Sequence, residues 1–174
     1  DERDRKALSM TGMDMAAILR GVRILDCTRN IAGPVATMLA AEMGADVIKV
    51  EPPGGDEMRQ WPPFVDGESV YFVSCNRGKR SIGLDMSVPE GREILLALAK
   101  EADVFLTSFL PGHRTKFGID VDDIRAVNPT IIYARGSALG PRGEESVKGG
   151  YDMTAFWCRA GTARTITPPD MPGM

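Results

Sequence analysis

Short apolar segments alternate along the chain with longer segments whose apolar residues recur at helical spacing. The short segments predict β-strands at Val22–Cys27, Asp46–Glu51, Ser81–Asp85, Asp103–Thr107 and Ile131–Ala134. Helices are predicted over 34–43, 89–102 and 122–127, and a last helix over 152–160. In the helix over 89–102, Ile94, Leu95, Leu98 and Ala99 are predicted to share one face. Strands that alternate with helices through short connections predict an α/β fold with a doubly wound, mostly parallel sheet.

The segments between these elements are rich in glycine, proline and charge. Residues 52–67 and 136–150 predict loops, 76–80 a basic turn, and 111–114 a turn that carries His113, the only histidine. Because ligands of doubly wound sheets lie at the carboxyl ends of the strands, the segments that follow each strand are the candidate site.

Composition narrows the classes of function. A chain of 174 residues with 43% hydrophobic residues suits one domain with a sizeable core. A net charge of −3 argues against a nucleic-acid partner, and no apolar run approaches the ~20 residues of a membrane span. The three cysteines form no CxxC pair, which indicates reduced thiols and a cytoplasmic protein.

The first strand-to-helix turn, 28–34, lacks the G-x-G-x-x-G pattern of dinucleotide sites, so neither NAD nor FAD is expected. Its free backbone amides could still bind an anion or a carbonyl oxygen at the start of the helix. The alternative is a plain connection in which Pro34 only begins the helix.

Two further segments carry candidate binding groups. Arg77, Lys79 and Arg80 form either a phosphate clamp or a solvated loop. Phe109 offers a face to an adenine or pantetheine group or belongs to the core, and Lys116 reaches a phosphate or lies in solvent.

The remaining candidates are weaker. A Ser-His-Asp triad would have to use His113, whose turn predicts exposure, and no ligand spacing indicates a metal site. Tyr151 and Asp152 follow a glycine pair and either line a site or cap the last helix, with Asp152 as its N-cap.

Taken in order, several of these segments resemble the class III CoA-transferase family, which includes formyl-CoA transferases and α-methylacyl-CoA racemases. The matching stretches are 21–26, 32–34, 43–51, 76–86, 102–104, 111–112, 117–118 and 128–129. No single stretch is specific, but the ordered set is.

The resemblance implies a Rossmann-like sheet, a homodimer of interlocked chains, and CoA along the carboxyl ends of the strands. It implies that acyl-CoA and a carboxylic acid are the substrates, with no metal. The implied CoA contacts are Asn30, Ile31, Ala32, Leu84, Ser108, Phe109, Lys116 and Lys148.

In the family, an aspartate carboxylate attacks the acyl-CoA thioester and forms a mixed anhydride. That aspartate is expected beyond Met174, after the Pro-rich loop over 167–174, and Asp170 is not assigned to the role. The chain is therefore predicted to be an extension or expression remnant over 1–20 and a CoA-binding, N-terminal portion over 21–174. This portion is truncated before the catalytic residue and the small domain, and is expected to be inactive alone.

The expected lining of the active site comprises Ile31, Tyr151 and Asp152. The racemases use a histidine base where Tyr151 stands, and a phenol with a pKa near ~10 is a poor substitute, which disfavours racemase chemistry. Ile31, in place of the glutamine of formyl-CoA transferases, together with residues 151–156 resembles the branch acting on 2-hydroxy or aryl-substituted acids. The alternative functions are a non-catalytic CoA-binding or partner-dependent short paralogue and, last, a racemase-like isomerase.

Overall fold

A five-stranded parallel sheet forms the centre of the molecule. In a computed structural model of the protein, which describes residues 18–168 and residue 171, the strands lie in the order β5-β2-β1-β6-β7. They are β1 (Arg23–Cys27), β2 (Asp46–Glu51), β5 (Arg80–Gly83), β6 (Val104–Thr107) and β7 (Ile132–Arg135), and all neighbouring pairs are parallel. This order is that of a Rossmann-like, doubly wound sheet, so the predicted fold class is confirmed.

Helices connect the strands of the sheet. They are α1 (Ala32–Glu42), α2 (Val70–Asn76), α3 (Pro89–Lys100), α4 (Pro111–Phe117), α5 (Val121–Val127) and α6 (Thr162–Ile166). Between β2 and α2 lie a short 3-10 helix, Glu57–Gln60, and the antiparallel hairpin of β3 (Phe64–Val65) and β4 (Glu68–Ser69). A second 3-10 helix, Glu144–Val147, and a π-helix, Asp152–Arg159, follow β7.

The core lies on both faces of the sheet, because successive side chains of a strand point to opposite sides. Leu25 belongs to the larger cluster with Phe105 and Leu95, which packs the sheet against α3 and α5. Ile24 belongs to a smaller cluster with Val47 on the side of α1. Burial on both faces explains why the strands are apolar runs rather than alternating patterns.

The predicted apolar face of α3 needs one correction. Its buried residues are Gly91, Leu95 and Ala99, which recur every four positions, whereas Ile94 is 46% exposed. Position 94 lies about 100° around the helix from position 95, and this rotation carries Ile94 off the buried face.

Other segments also differ from the sequence predictions. The loops predicted over 52–67 and 136–150 contain the two 3-10 helices and the first strand of the hairpin. Residues 111–114 begin α4 rather than a turn, because Pro111 suits the first turn of a helix and Gly118, with φ of 60°, ends it. The helix predicted over 152–160 is a π-helix and is followed by α6, so it is not the last one. Tyr151, not Asp152, is its N-cap.

The proposed boundary after residue 20 stays a prediction. Residues 1–17 lie outside the described residues, as do 169, 170 and 172–174 of the Pro-rich loop. The backbone amide of Leu19 donates to the carbonyl of Met43, and its side chain packs against the Ile24 cluster.

Candidate functional site

A cavity of about 190 Å³ opens where the strand order reverses. The chain leaves β1 and its neighbour β6 toward opposite faces of the sheet, and this divergence creates a crevice at their carboxyl ends. Residues that follow β1, β2, β5 and β6 line the cavity, among them Arg29, Pro53, Leu84, Phe109 and Lys116. The cavity therefore lies where the fold class places a ligand.

Three of the predicted contact residues line this cavity. Leu84 is buried in its wall, Phe109 is half-buried, and Lys116 is exposed. Lys116 lies in α4, and the unpredicted helical fold of residues 111–117 brings its ammonium to the same cavity as Phe109.

Three further predicted CoA contacts lie at the start of α1, directly after Thr28 and Arg29, which line the cavity. Asn30 has a left-handed backbone with φ of 61°, Ile31 is the N-cap of α1, and Ala32 begins the helix. Ile31 is 51% exposed, and its side chain cannot cap the helix. The first-turn amides of α1 are therefore available to a ligand.

Ser108 joins the two turns of the site. Its hydroxyl oxygen accepts a hydrogen bond of 3.1 Å from the backbone amide of Arg29. The turn after β6 thus fixes the turn after β1.

The structure brings Tyr151 to this region and leaves Asp152 and Lys148 at the surface. The Asn30 side-chain amide donates to the Tyr151 hydroxyl over 3.5 Å. Asp152 is exposed in the π-helix, and the Lys148 ammonium pairs with Glu145 at 3.3 Å. Among the described residues, neither Asp152 nor Lys148 lines the cavity.

Sequence reasoning missed Arg29, although its place directly after β1 is a signal for a site residue. Its guanidinium carbon lies 5.2 Å from the centre of the Phe109 ring, as in a cation–π contact. The Phe109 ring meets Phe117 edge to face, and the exposed ring of His113 stacks on Phe117. One side of the site thus presents an aromatic wall with Arg29 and Lys116 as its cations.

A buried set of charges beneath the first turn was also missed. Asp26, Lys49, Asp56 and Lys79 have side chains that are at most 2% exposed. Lys49 pairs with Asp56 at 2.9 Å, and Lys79 pairs with Asp26 at 2.9 Å. Burial by itself raises the pKa of the Asp26 carboxyl, but the ammonium groups of Lys79 and Lys49 outweigh it and lower that pKa.

The basic turn therefore does not form a phosphate clamp. The Lys79 ammonium donates to three protein oxygens, on Asp26, Pro34 and Asn76. Arg77 pairs with Glu42, and Arg80 pairs with Asp46. The loop interpretation is wrong for Lys79 as well, because that side chain is buried.

The buried thiol in the wall of the cavity is not suited to nucleophilic attack. The Cys27 thiol lines the cavity, but burial raises its pKa far above neutrality. No three His, Cys, Asp or Glu residues of the described ranges form a group that could hold a metal ion. Across residues 18–168, no helix has the length and apolar character needed to cross a bilayer.

A family model described as CoA-transferase family III matches residues 19–174. The chain belongs to this family. It is 48% identical over 139 residues to the succinyl-CoA:glutarate CoA-transferase of Mus musculus, covering 79% of this chain and 32% of that protein. It is 40% identical to a probable fatty acyl-CoA transferase of Mycobacterium tuberculosis, covering 88% of this chain and 40% of that one.

Solved structures of the family agree with the fold. A crystal structure of an M. tuberculosis protein superposes with a TM-score of 0.84 at 38% identity, covering 92% of this chain and 45% of that one. A CAIB/BAIF family protein of Brucella suis gives 0.83 at 36% identity, covering 91% and 43%. The CoA-transferase family III chain thus spans less than half the length of these relatives, and the resemblance inferred from its ordered motifs is confirmed.

Proposed function

We propose that this chain supplies the CoA-binding part of an enzyme that transfers CoA between an acyl-CoA thioester and a carboxylic acid. The observation that carries the proposal is the cavity at the strand-order reversal, with its aromatic wall and two cations, in a chain of CoA-transferase family III. CoA joins an aromatic base, anionic phosphates and a narrow thiol-ended arm. The aromatic wall, the two cations and the first-turn amides of α1 match these three parts in turn.

The nucleotide end of CoA occupies the cavity in this proposal. The adenine packs near Leu84 and against Phe109, where an aromatic face and an apolar wall offer stacking and burial. The phosphates lie within reach of Lys116 and Arg29, whose charges strengthen hydrogen bonds to phosphate oxygens. The contribution of Lys148 requires movement of its side chain from Glu145.

The pantetheine arm then leads to the start of α1. The amides after Asn30, at Ile31 and Ala32, point out of the first turn of an eleven-residue helix. Backbone donors that are fixed before the reaction stabilise the negative charge that develops on a thioester oxygen. Ile31 and Tyr151 border the acyl group in this arrangement, and a role for Asp152 requires its exposed side chain to move toward them.

The chemistry proceeds through an aspartyl mixed anhydride. An aspartate carboxylate oxygen attacks the thioester carbonyl carbon, the carbon–sulfur bond breaks, and CoA leaves as a thiolate. The thiolate attacks the aspartyl carbonyl, displaces the donor acid and leaves an aspartyl-CoA thioester. The acceptor carboxylate attacks this thioester and releases the thiolate, which then attacks the acceptor carbonyl, so that the new acyl-CoA forms and the aspartate carboxylate is restored. The attacking aspartate is expected in sequence that follows Met174, so residues 21–174 bind and orient the CoA moiety.

We further propose that two copies associate in the cytoplasm. Large apolar side chains are exposed on the hairpin and α2, including Phe64, Val65 and Tyr71, which are 51%, 62% and 47% exposed. Such a patch is typical of a protein–protein interface.

A transfer assay tests the proposal. The protein at its native length is mixed with succinyl-CoA and a set of ¹³C-labelled acids, including glutarate, mesaconate, oxalate and aryl-substituted acids. Relatives are named for the first three of these acids. Mass spectrometry is expected to detect labelled acyl-CoA with at least one acid.

The other outcomes separate the alternatives. CoA binding without any labelled thioester would favour the non-catalytic paralogue. Incorporation of deuterium at the α-carbon of a branched acyl-CoA, with no transfer, would favour the racemase-like isomerase.

A further inference from the structure

The polar groups of Thr28 are all held by buried charged residues. Its backbone amide and hydroxyl donate to Oδ1 of Asp26, the former over 3.0 Å. Its carbonyl oxygen accepts a hydrogen bond of 3.0 Å from the Lys49 ammonium. Thr28 is only 1% exposed, so water does not compete with the carboxylate or the ammonium for these hydrogen bonds.

The same carboxylate also holds α1. Oδ2 of Asp26 accepts hydrogen bonds from the Thr37 hydroxyl over 2.6 Å and from the Lys79 ammonium over 2.9 Å. Lys79 in turn donates to the Pro34 carbonyl, in the first turn of α1. One oxygen of Asp26 therefore holds Thr28, the residue directly after β1, and the other holds the helix that follows.

Between these two anchors lie the four residues 29–32, which include all the first-turn positions assigned to CoA. Asn30 holds a left-handed backbone there, which a non-glycine residue keeps only when its surroundings fix it. Gly33 lies so close to Thr28 that an added Cβ would stand 2.5 Å from the Thr28 Cβ. The conformation of the turn is thus fixed both by the close packing of Gly33 on Thr28 and by the hydrogen bonds to the buried charges.

The four buried charges sum to zero, since each ammonium group is paired with a carboxylate. Two ammonium groups, of Lys49 and Lys79, face two carboxylates, of Asp26 and Asp56. Asp56 is anchored by the N-terminal amides of the adjacent 3-10 helix, where its Oδ1 accepts from Met58. Removing these charges from water costs free energy, so a gain in stability alone does not explain the network.

We propose that Asp26, Lys49 and Lys79, acting through Thr28 and Thr37, are positioning residues that set the amides of 30–32 for the thioester end of CoA. This inference rests on the proposed function. It distinguishes the thioester end, which depends on the turn, from the nucleotide end, which depends on Phe109, Leu84 and Lys116 across the cavity.

The test compares two ligands on the native-length protein by isothermal titration: CoA, supplied as its ketone analogue acetonyl-CoA, which keeps a carbonyl oxygen but has no thioester to react, and adenosine 3′,5′-bisphosphate. Thr28→Val removes the hydroxyl bonded to Asp26 while keeping the branched shape, and Thr28→Ser keeps the hydroxyl. Thr28→Val is expected to raise the Kd for CoA about tenfold and the Kd for the bisphosphate less than about twofold, because only CoA reaches the turn. Thr28→Ser is expected to bind both ligands like the wild type.

Thr37→Val and Thr130→Val provide a second test variant and a control. Thr37→Val removes the α1 side of the same contact and is expected to repeat the Thr28→Val result, which keeps the test decisive if Thr28→Val does not fold. Thr130→Val removes a hydroxyl that donates to Asn128 before β7, at the opposite edge of the sheet from the turn, and is expected to leave both Kd values unchanged.

Each contrary outcome is informative. Equal weakening of both ligands in the valine variants would show a merely structural role and overturn the proposal, as would no weakening of CoA binding. A wild-type protein that binds neither ligand would instead refute the proposed function, and this inference with it.

Discussion

At the scale of single residues, the site depends on a close approach between Thr28 and Gly33. Gly33 has no need of an unusual backbone conformation, since its φ is not in the left-handed region, so only space restricts the position. A methyl group there would lie 2.5 Å from Thr28 Cβ, and Thr28 is fixed by Asp26 and Lys49. The first turn can therefore accommodate a methyl group only by moving away from its anchors.

Gly33→Ala is expected to lower the free energy of unfolding by about 1–3 kcal/mol, the usual cost of overpacking a rigid site. Urea denaturation measures the change. Gly112→Ala is the matched control, because an added Cβ at this α4 position meets no atom within 4 Å, and it is expected to be neutral or stabilising by up to about 1 kcal/mol. Equal stability losses in both variants would show that the Thr28–Gly33 contact is not what restricts the turn.

At the scale of elements, β2 ends in a carboxylate that ties three segments together. Glu51 accepts two hydrogen bonds from Arg59, of 2.7 and 2.8 Å, and one each from the Ser81 hydroxyl and the Asp56 amide. Burial alone would raise the pKa of Glu51, but these donors, Arg59 foremost, lower it to about 2. The wall of the cavity formed by Pro52 and Pro53 continues directly from this residue.

Acid is therefore expected to weaken the hydrogen bonds that Glu51 accepts from these segments. In the unfolded chain the carboxyl has its ordinary pKa of 4.5, so between pH 4.5 and about 2 the unfolded state binds more protons than the folded state. The free energy of unfolding should fall as pH decreases through this window, and the contribution of Glu51 should be complete above it.

Glu51→Gln is expected to cost about 2 kcal/mol at pH 7 and to flatten the stability curve below pH 4.5. Chemical denaturation at several pH values measures both effects. Glu93→Gln, at an exposed position of α3, is the control and should preserve the wild-type curve. An unchanged slope in Glu51→Gln would contradict the assignment.

The elements also show which parts of the structure can be predicted from sequence. The sheet strands were predictable because each is a short, apolar run bounded by polar residues, a purely local pattern. The helix α4 was not, because Pro111 and Gly112 are typical of turns, and only the left-handed Gly118 with its contacts reveals the helix end.

The buried charges escaped prediction for a different reason. Lysine and aspartate normally indicate exposure, and the partners Asp26 and Lys79 are separated by 53 residues. Only the sheet order, which places β5 and the end of α2 beside α1, brings them together. Lys116 could be proposed because the resemblance to the family expects a phosphate-binding cation at its position, whereas Arg29 has no such counterpart among the matched stretches.

At the scale of the whole molecule, strand order determines where the ligand groups meet. The reversal between β1 and β6 gathers the turn at 28–32, the aromatic residues after β6 and the cation of α4 at one edge. The chain spans 32–45% of the length of its relatives. We therefore expect this edge to bind CoA, in line with the proposed function.

Calorimetric titration of CoA into the native-length protein and two lysine variants measures this binding. Lys116→Ala removes a cation from the cavity, whereas Lys100→Ala removes one from the far end of α3. We expect CoA binding by the wild type, a roughly tenfold higher Kd for Lys116→Ala, and less than about a twofold change for Lys100→Ala. No binding by the wild type, or equal changes in the two variants, would contradict this expectation.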